Sequence, residues 1–437
     1  MRPSPIAIAL VVALLGPAAS HSARAQAADP APATMAAPPD TLDFSPLAGD
    51  SAIAQGVEPD HGDGGWRRRT PFGEGLLTAR RWWRGGGSRL HGVQTRLDYD
   101  RVDRLRLGAG YQFQARDAMA PRFGTRLEYA FGRDRLLYGF QLEQPLVRPG
   151  RIAFGASLVR RTDHNELQQV DDLENTLALL LWRYDFRDYF ERDGLGAYLS
   201  WYVPDFSTVS IHLRRDAYRS LPLDPHTPSW FHRARPLRDN PAIDGGETHS
   251  VALRFESGRP PRRNTRAGLT HWLEVERAGR ALGGDFAYTR ILGDLRSVLR
   301  LSPATTLTVR VAAGHGAGGT LPKQRQFPLG GPDALRAHSV DAFSGDQLAL
   351  AQAEYLVGLG RLHSHGFEGG LHAIAFVDAG SAWSDPRHRW NVQDQHFAVD
   401  GGFGFAIGED NLRIYLSKNL QDTASDLTLS ARLHRPF

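Results

Sequence analysis

Arg336, Glu354 and Asp378 are the residues whose types and spacing suggest directed chemistry, and that chemistry is anchoring rather than catalysis. Arginine is a planar, permanently charged fork. Glu354 and Asp378 fall on two successive alternating runs, at the parity assigned to the interior. An arginine bridged to both would pin a long loop against a wall by charge-assisted bonds, the strong kind away from bulk water. Gly330 and Gly331 just before it would allow tight backbone, and Leu335 and His338 complete the loop. Catalytic alternatives lack material. Cys is absent, which excludes a thiol nucleophile, a disulfide framework and thiolate metal ligands. No G-x-S-x-G occurs, and Gly314–Gly319 does not match a dinucleotide-binding pattern. His363, His365 and His372 read as a surface turn rather than a metal site, and Asp163–Glu166 as a polar connection. No enzyme activity, cofactor or resident metal is expected. Basic residues are spread rather than gathered in one patch, so nucleic acid is not expected either.

The elements that must position these residues are strands. From Arg104 onward short alternating runs recur, separated by Gly, Pro, Asp and Arg clusters. In Asp426–Phe437, Leu427, Leu429, Ala431 and Leu433 share one face, opposite Thr428, Ser430, Arg432 and His434. Sixteen strands are expected: 104–113, 123–131, 135–144, 151–160, 176–185, 195–203, 207–215, 248–256, 269–278, 284–300, 305–315, 346–358, 367–380, 397–408, 411–418 and 427–437. Strand 284–300 merges two runs around Gly293-Asp294. Connections are tight on one side and long on the other, as in an outer-membrane barrel, except that 161–175 is long on the short side. Hydrophobic residues are 41% of 437, too few for a bundle of transmembrane helices but compatible with alternating strands. The fold class expected is all-β: a sixteen-stranded antiparallel transmembrane β-barrel with an inward-folded long loop.

The beginning of the chain reads as export machinery. Residues 1–27 fit a secretory signal: Arg2, the apolar run Ile6–Leu15, then Ala-x-Ala sites ending at Ala25 and Ala27. Residues 28–91 read as a disordered or linker segment, with Trp and Arg mixed in Trp66–Arg84, and 92–437 as the barrel domain. The expected location is the bacterial outer membrane.

Two segments go beyond barrel grammar. Phe327–Leu335 with Arg336 runs through a Gly-Asp…Glu-Tyr stretch to Leu359, and Phe376-Val377-Asp378-Ala379-Gly380 follows. In order and spacing they resemble the BamA/TamA superfamily of outer-membrane barrels, the bacterial surface antigen family, over about 327–437. Ala398–Phe405 resembles the family's late strands, and Asp100–Asp103 with Leu105–Gly110 a first-strand pattern. The terminal Phe437 resembles a barrel assembly signal. The resemblance implies that Arg336 meets wall acids at Glu354 and Asp378, with Phe376 and Gly380 as strand-motif residues. The sequence departs from the family at Ala337 and His338, where Gly and an aromatic are usual.

The resemblance also implies a role in inserting or transporting polypeptide or lipid with a partner. No polypeptide-transport-associated domain is expected in residues 28–91, which points to a barrel-only branch and to a separate periplasmic partner. The alternative is a structural barrel or passive pore with a loop plug and no insertase activity. Partners expected are outer-membrane lipid, the barrel assembly machinery during biogenesis, and lipopolysaccharide at Arg214–Arg219 and His232–Arg238.

Overall fold

From His91 onward the side chains alternate between apolar and charged, and backbone with that pattern pairs into a sheet with two unlike faces. The computed structural model describes residues 91–437 apart from 115–118, 148–150, 204–206, 226, 233, 258–267, 365–366, 408–411 and 434–437. The signal segment, nearly all of the linker, Trp66–Arg84 and Phe437 lie outside the described residues.

The wall begins with β1 (His91–Asp100), β2 (Arg104–Gln114), β3 (Arg122–Ala130), β4 (Arg135–Val147) and β5 (Ile152–His164). Helix α1 (Asp172–Trp182) interrupts it. Then follow β6 (Tyr189–Val203), β7 (Ser207–Ser220), β8 (Gly246–Ser257), β9 (Gly268–Ala278), β10 (Tyr288–Ser302) and β11 (Thr305–Ala317). A small hairpin, β12 (Phe327–Leu329) and β13 (Phe343–Gly345), precedes β14 (Gln347–Ser364) and β15 (Phe367–Trp383). The wall ends with β16 (Ala398–Ile407), β17 (Arg413–Asn419) and β18 (Thr428–Arg432). Sixteen of these strands form one antiparallel sheet in chain order, and β12 and β13 pair only with each other.

The sheet is polar inside and apolar outside. On β1, Arg96 and Asp98 are buried while Leu97 is exposed. On β15 and β17, Asp378 and Arg413 are buried, while Ile414 and Leu416 are exposed. Water punishes that arrangement and hydrocarbon rewards it, so the wall is that of a transmembrane barrel. No helix among the described residues is long and apolar enough to cross a membrane; the strands are the spanning elements.

The expected count of sixteen wall strands stands, but through two offsetting misassignments. Most of the strand expected at 176–185, residues 176–182, belongs to α1. Its DLENTLALLLW sequence consists mostly of good helix formers; Asp171 caps its start by accepting from Leu173 N–H, and Arg183 ends it at φ 58°. The missed strand is β1. Its inward face is Arg96, Asp98 and Asp100, so in sequence it looks like a charged connection. Correcting both moves every strand before the helix by one place. The connection 165–188 then falls on the same side as 221–245, 318–346 and 384–397, which removes the exception at 161–175 and brings the tight turn 131–134 to that side as well. The merged 284–300 run is one strand, β10, continuous through Gly293 and Asp294.

Candidate functional site: a loop pinned in the lumen

The connection 318–346 turns back over the interior face of the wall strands that follow it. Phe327, Leu329 and Leu335 are buried in one cluster with Leu348, Leu350 and Ala398 of the wall. Hydrophobic burial therefore holds the loop's base before any charge acts. At the turn, Gly330 and Gly331 have φ of 130° and 83°. A Cβ on Gly330 would come within 2.3 Å of Ser339 O, so both the conformation and the space require glycine. Gly380 on β15 serves the same loop from the wall side: a Cβ there would come within 3.2 Å of Leu329 Cδ2.

Arg336 lies beyond this base, completely buried. Its Nη1 donates to Glu354 Oε2 at 3.1 Å, and its Nε lies 3.1 Å from Asp378 Oδ2. The two acids come from adjacent strands. Glu354 pairs in register with Phe376, and Asp378 with Gln352. The guanidinium centre lies 4.0 Å from the Phe376 ring centroid and 4.6 Å from that of Tyr415. Phe376 is thus a cation–π platform beneath the charge. The residues expected as anchor and motif are all brought to this one place.

Sequence reading missed the next layer. Glu354 also accepts from Arg413, at short range, and from Tyr415 OH at 2.9 Å. Gln352 Nε2 donates to Asp378 Oδ1 at 3.0 Å and to Ala334 O at 2.8 Å. Asp400 on β16 accepts from Ala337 N–H at 2.7 Å and faces His338 Nδ1 at 3.0 Å. The residues at the loop tip that depart from the family pattern thus meet a third wall carboxylate. Arg310 Nη1 donates to Asp333 O at 3.0 Å, and Arg432 Nη1 to Pro332 O at 3.0 Å. Each of these wall residues has the inward parity of its strand, the one signal in sequence that could have found them.

The loop also touches the helix-bearing connection. Gln169 N–H donates to Asp333 Oδ2 at 2.7 Å, and Gln168 Nε2 to Asp341 Oδ2 at 2.6 Å. Burial pushes the Asp341 carboxyl up to about 8, with neighbouring Asp188 adding to the rise and Arg238 opposing it.

The basic segments expected on outer loops are mostly engaged elsewhere. Arg214–Arg219 belongs to the end of β7, and Arg214 turns inward to Glu274 at 2.8 Å. Only Arg215 and Arg219 of that group keep exposed side chains, paired with Glu247 and Glu191. Arg238 forms an ion pair with Asp188 at 2.7 Å, and Arg235 covers the Tyr184 ring.

Residues 248–408 match the model of the Omp85 superfamily domain. That span runs from β8 to the end of β16 and holds the whole pinned loop with Glu354, Asp378 and Asp400. Among solved structures, BamA from Haemophilus ducreyi lacking POTRA domains 1-3 matches with a TM-score of 0.53 at 12% identity, over 78% of this chain and 70% of that one. CdiB from Acinetobacter baumannii matches with a TM-score of 0.42 at 12% identity, over 80% of this chain and 60% of that one. CdiB from Escherichia coli gives 0.44 at 13%, over 80% and 63%. The chain therefore spans less than two thirds of either CdiB chain. No curated protein matches the sequence. The wall of sixteen strands with its inward loop thus shares the fold of the BamA barrel, and residues 248–408 within it match the Omp85 superfamily domain.

Proposed function

We propose that the chain is a bacterial outer-membrane barrel that aids insertion or transport of polypeptide or lipid, working with a periplasmic partner through the join between its first and last strands. The observation that carries this is a contrast in bonding. The pinned loop is tied to four consecutive wall strands, β14 to β17, through Glu354, Asp378, Asp400 and, by way of Glu354, Arg413. The two end strands, by contrast, share no ladder among the described residues. In this reading the join lies between β1 and β18, since the first wall strand is β1 rather than the 104–113 strand, and helix α1 bonds to both. A barrel that stiffens one wall around a plug and bridges its end strands through side chains of helix α1 can part there without unpairing the sheet. The reading assigns the chain no catalysis.

Burial of Arg336 with its acids favours the second reading, a structural barrel or passive pore with a fixed plug. One experiment separates the two. Vesicles carrying the purified barrel are compared with empty vesicles for the rate at which an unfolded outer-membrane client inserts, with and without periplasmic extract. Faster insertion into barrel-bearing vesicles supports assembly; equal rates under both conditions leave the structural reading.

A further inference from the structure

Helix α1 stands where a seventeenth strand would begin. In register, Tyr99 of β1 faces Leu105 of β2, and Leu105 O accepts from Phe131 N–H on the far side of β2. Tyr99 and Leu105 are thus a pair that exchanges no backbone bonds, so the Tyr99 backbone groups point away from β2, at the free edge. Thr176 of α1 takes both of them: Tyr99 N–H donates to its Oγ1 at 3.1 Å, and its hydroxyl donates to Tyr99 O at 3.2 Å. An unpaired strand edge is a liability, and here a helix side chain satisfies it. Arg96 of β1 adds a bond to Asp172 at 2.7 Å. From the other end of the sheet, Arg432 of β18 donates to Glu174 at 2.5 Å.

Helix geometry then fixes what faces the gap. At about 100° per residue, Thr176 and Glu174 lie roughly 160° apart, one flank toward β1 and the other toward β18. Leu173, Leu177, Leu180 and Leu181 fall on the arc between them. Asn175 and Leu179 lie on the opposite side and are buried, with Asn175 Nδ2 donating to Asp185 and to Tyr189 OH. The four leucines are half-buried, whereas Asp172, Glu174, Asn175 and Thr176 are buried. For a helix in water this polarity is inverted; it matches the wall, where Leu97 of β1 and Leu429 of β18 are exposed on the outer face. At the rim the apolar face continues. Trp230 N–H donates to Leu180 O at 2.7 Å, and Trp230 and Phe231 are 62% and 60% exposed. Aromatic rings suit the level where hydrocarbon meets headgroups.

We propose that α1 fills the join between β1 and β18 as a lipid-facing stave, with outer-membrane acyl chains covering Leu173, Leu177, Leu180 and Leu181. The proposal stands on the geometry of the wall and not on insertase activity.

The chain has no cysteine, so single cysteines can be labelled cleanly. Leu177→Cys and Leu181→Cys, each carrying a nitroxide, are reconstituted in phosphatidylcholine vesicles beside Leu97→Cys on the wall and Gln421→Cys in an exposed loop. Accessibility to oxygen is compared with accessibility to an aqueous nickel chelate. The expected result is that labels at 177 and 181 behave like the label at 97, with an oxygen preference several-fold above that at 421. Leu173→Cys reads the same face if either variant fails to fold. Labels open to the nickel chelate like that at 421, or shielded from both reagents by protein, would overturn the proposal.

Discussion

The loop 318–346 and the helix-bearing connection 165–188 are held by the same kind of bond with the signs exchanged. In the first, wall carboxylates Glu354, Asp378 and Asp400 grip the loop's Arg336 and His338. In the second, arginines of the wall and its first turn, Arg96, Arg101 and Arg432, grip Asp172, the pair Asp185 and Asp188, and Glu174. The first grip converges on one buried guanidinium. The second is spread over three cations at three places. A buried ion pair is weak evidence for stability, but stripping one partner from it is strongly destabilising. Concentration should therefore make the loop sensitive to a single substitution, and dispersal should make the helix insert tolerant of any one. Arg432 joins the two systems, since it meets Glu174 of the helix and Asp333 of the loop.

The largest expected effect is Arg336→Ala. It leaves Asp378 with Gln352 alone among the partners described above and should lower folded-barrel stability by about 3–5 kcal/mol, read from urea unfolding in vesicles. Arg432→Ala comes next. It takes a bond from both inserts at once but leaves Arg336, Arg96 and Arg101 in place, for a loss of about 1–3 kcal/mol. A double-mutant cycle of Arg432→Ala with Glu174→Gln should show coupling, because the two side chains are in contact. Losing as much at Arg432 as at Arg336 would break the contrast between concentrated and dispersed grips. His338→Phe restores an aromatic at the tip and removes the bond to Asp400, and should cost about 0.5–1.5 kcal/mol by the same assay.

A separate effect, read as a slope against pH rather than as a loss at one pH, is expected at the contact between the two inserts. The Asp341 carboxyl is raised from 3.8 to about 8, so between these values the folded state holds a proton that the unfolded state has released. Its contribution is fully present below about 4, falls as pH rises through that window, and levels off above about 8. Unfolding midpoints of wild type and Asp341→Asn should diverge between pH 5 and pH 8, with the variant less sensitive to pH; parallel curves would remove Asp341 from the account.

What could be read from sequence follows the same division. Arg336, Glu354 and Asp378 were readable because strand parity gave their facing and the motif gave their order. Asp400 was passed over because Ala398–Phe405 offers only a late-strand pattern, and nothing local says that its one acid meets a loop 62 residues earlier. In β1 the lumen face is so highly charged that alternation is hard to see against it. In α1 a leucine-rich run, LALLL, satisfies strand and helix periodicities alike over so short a span, and the Asp171 cap decides for helix. Arg101 sits in the Asp100–Asp103 turn that sequence noted only as a first-strand pattern. Its role appears when two distant connections close over it, with Asp188 at 2.8 Å and Asp239 O at 3.1 Å.

The central claim is that one buried arginine keeps the loop inside the barrel. Single-barrel conductance in planar bilayers tests it most directly, wild type against Arg336→Ala. The account predicts small, rare openings for wild type and larger, longer ones for the variant; the same conductance and open time in both would contradict it.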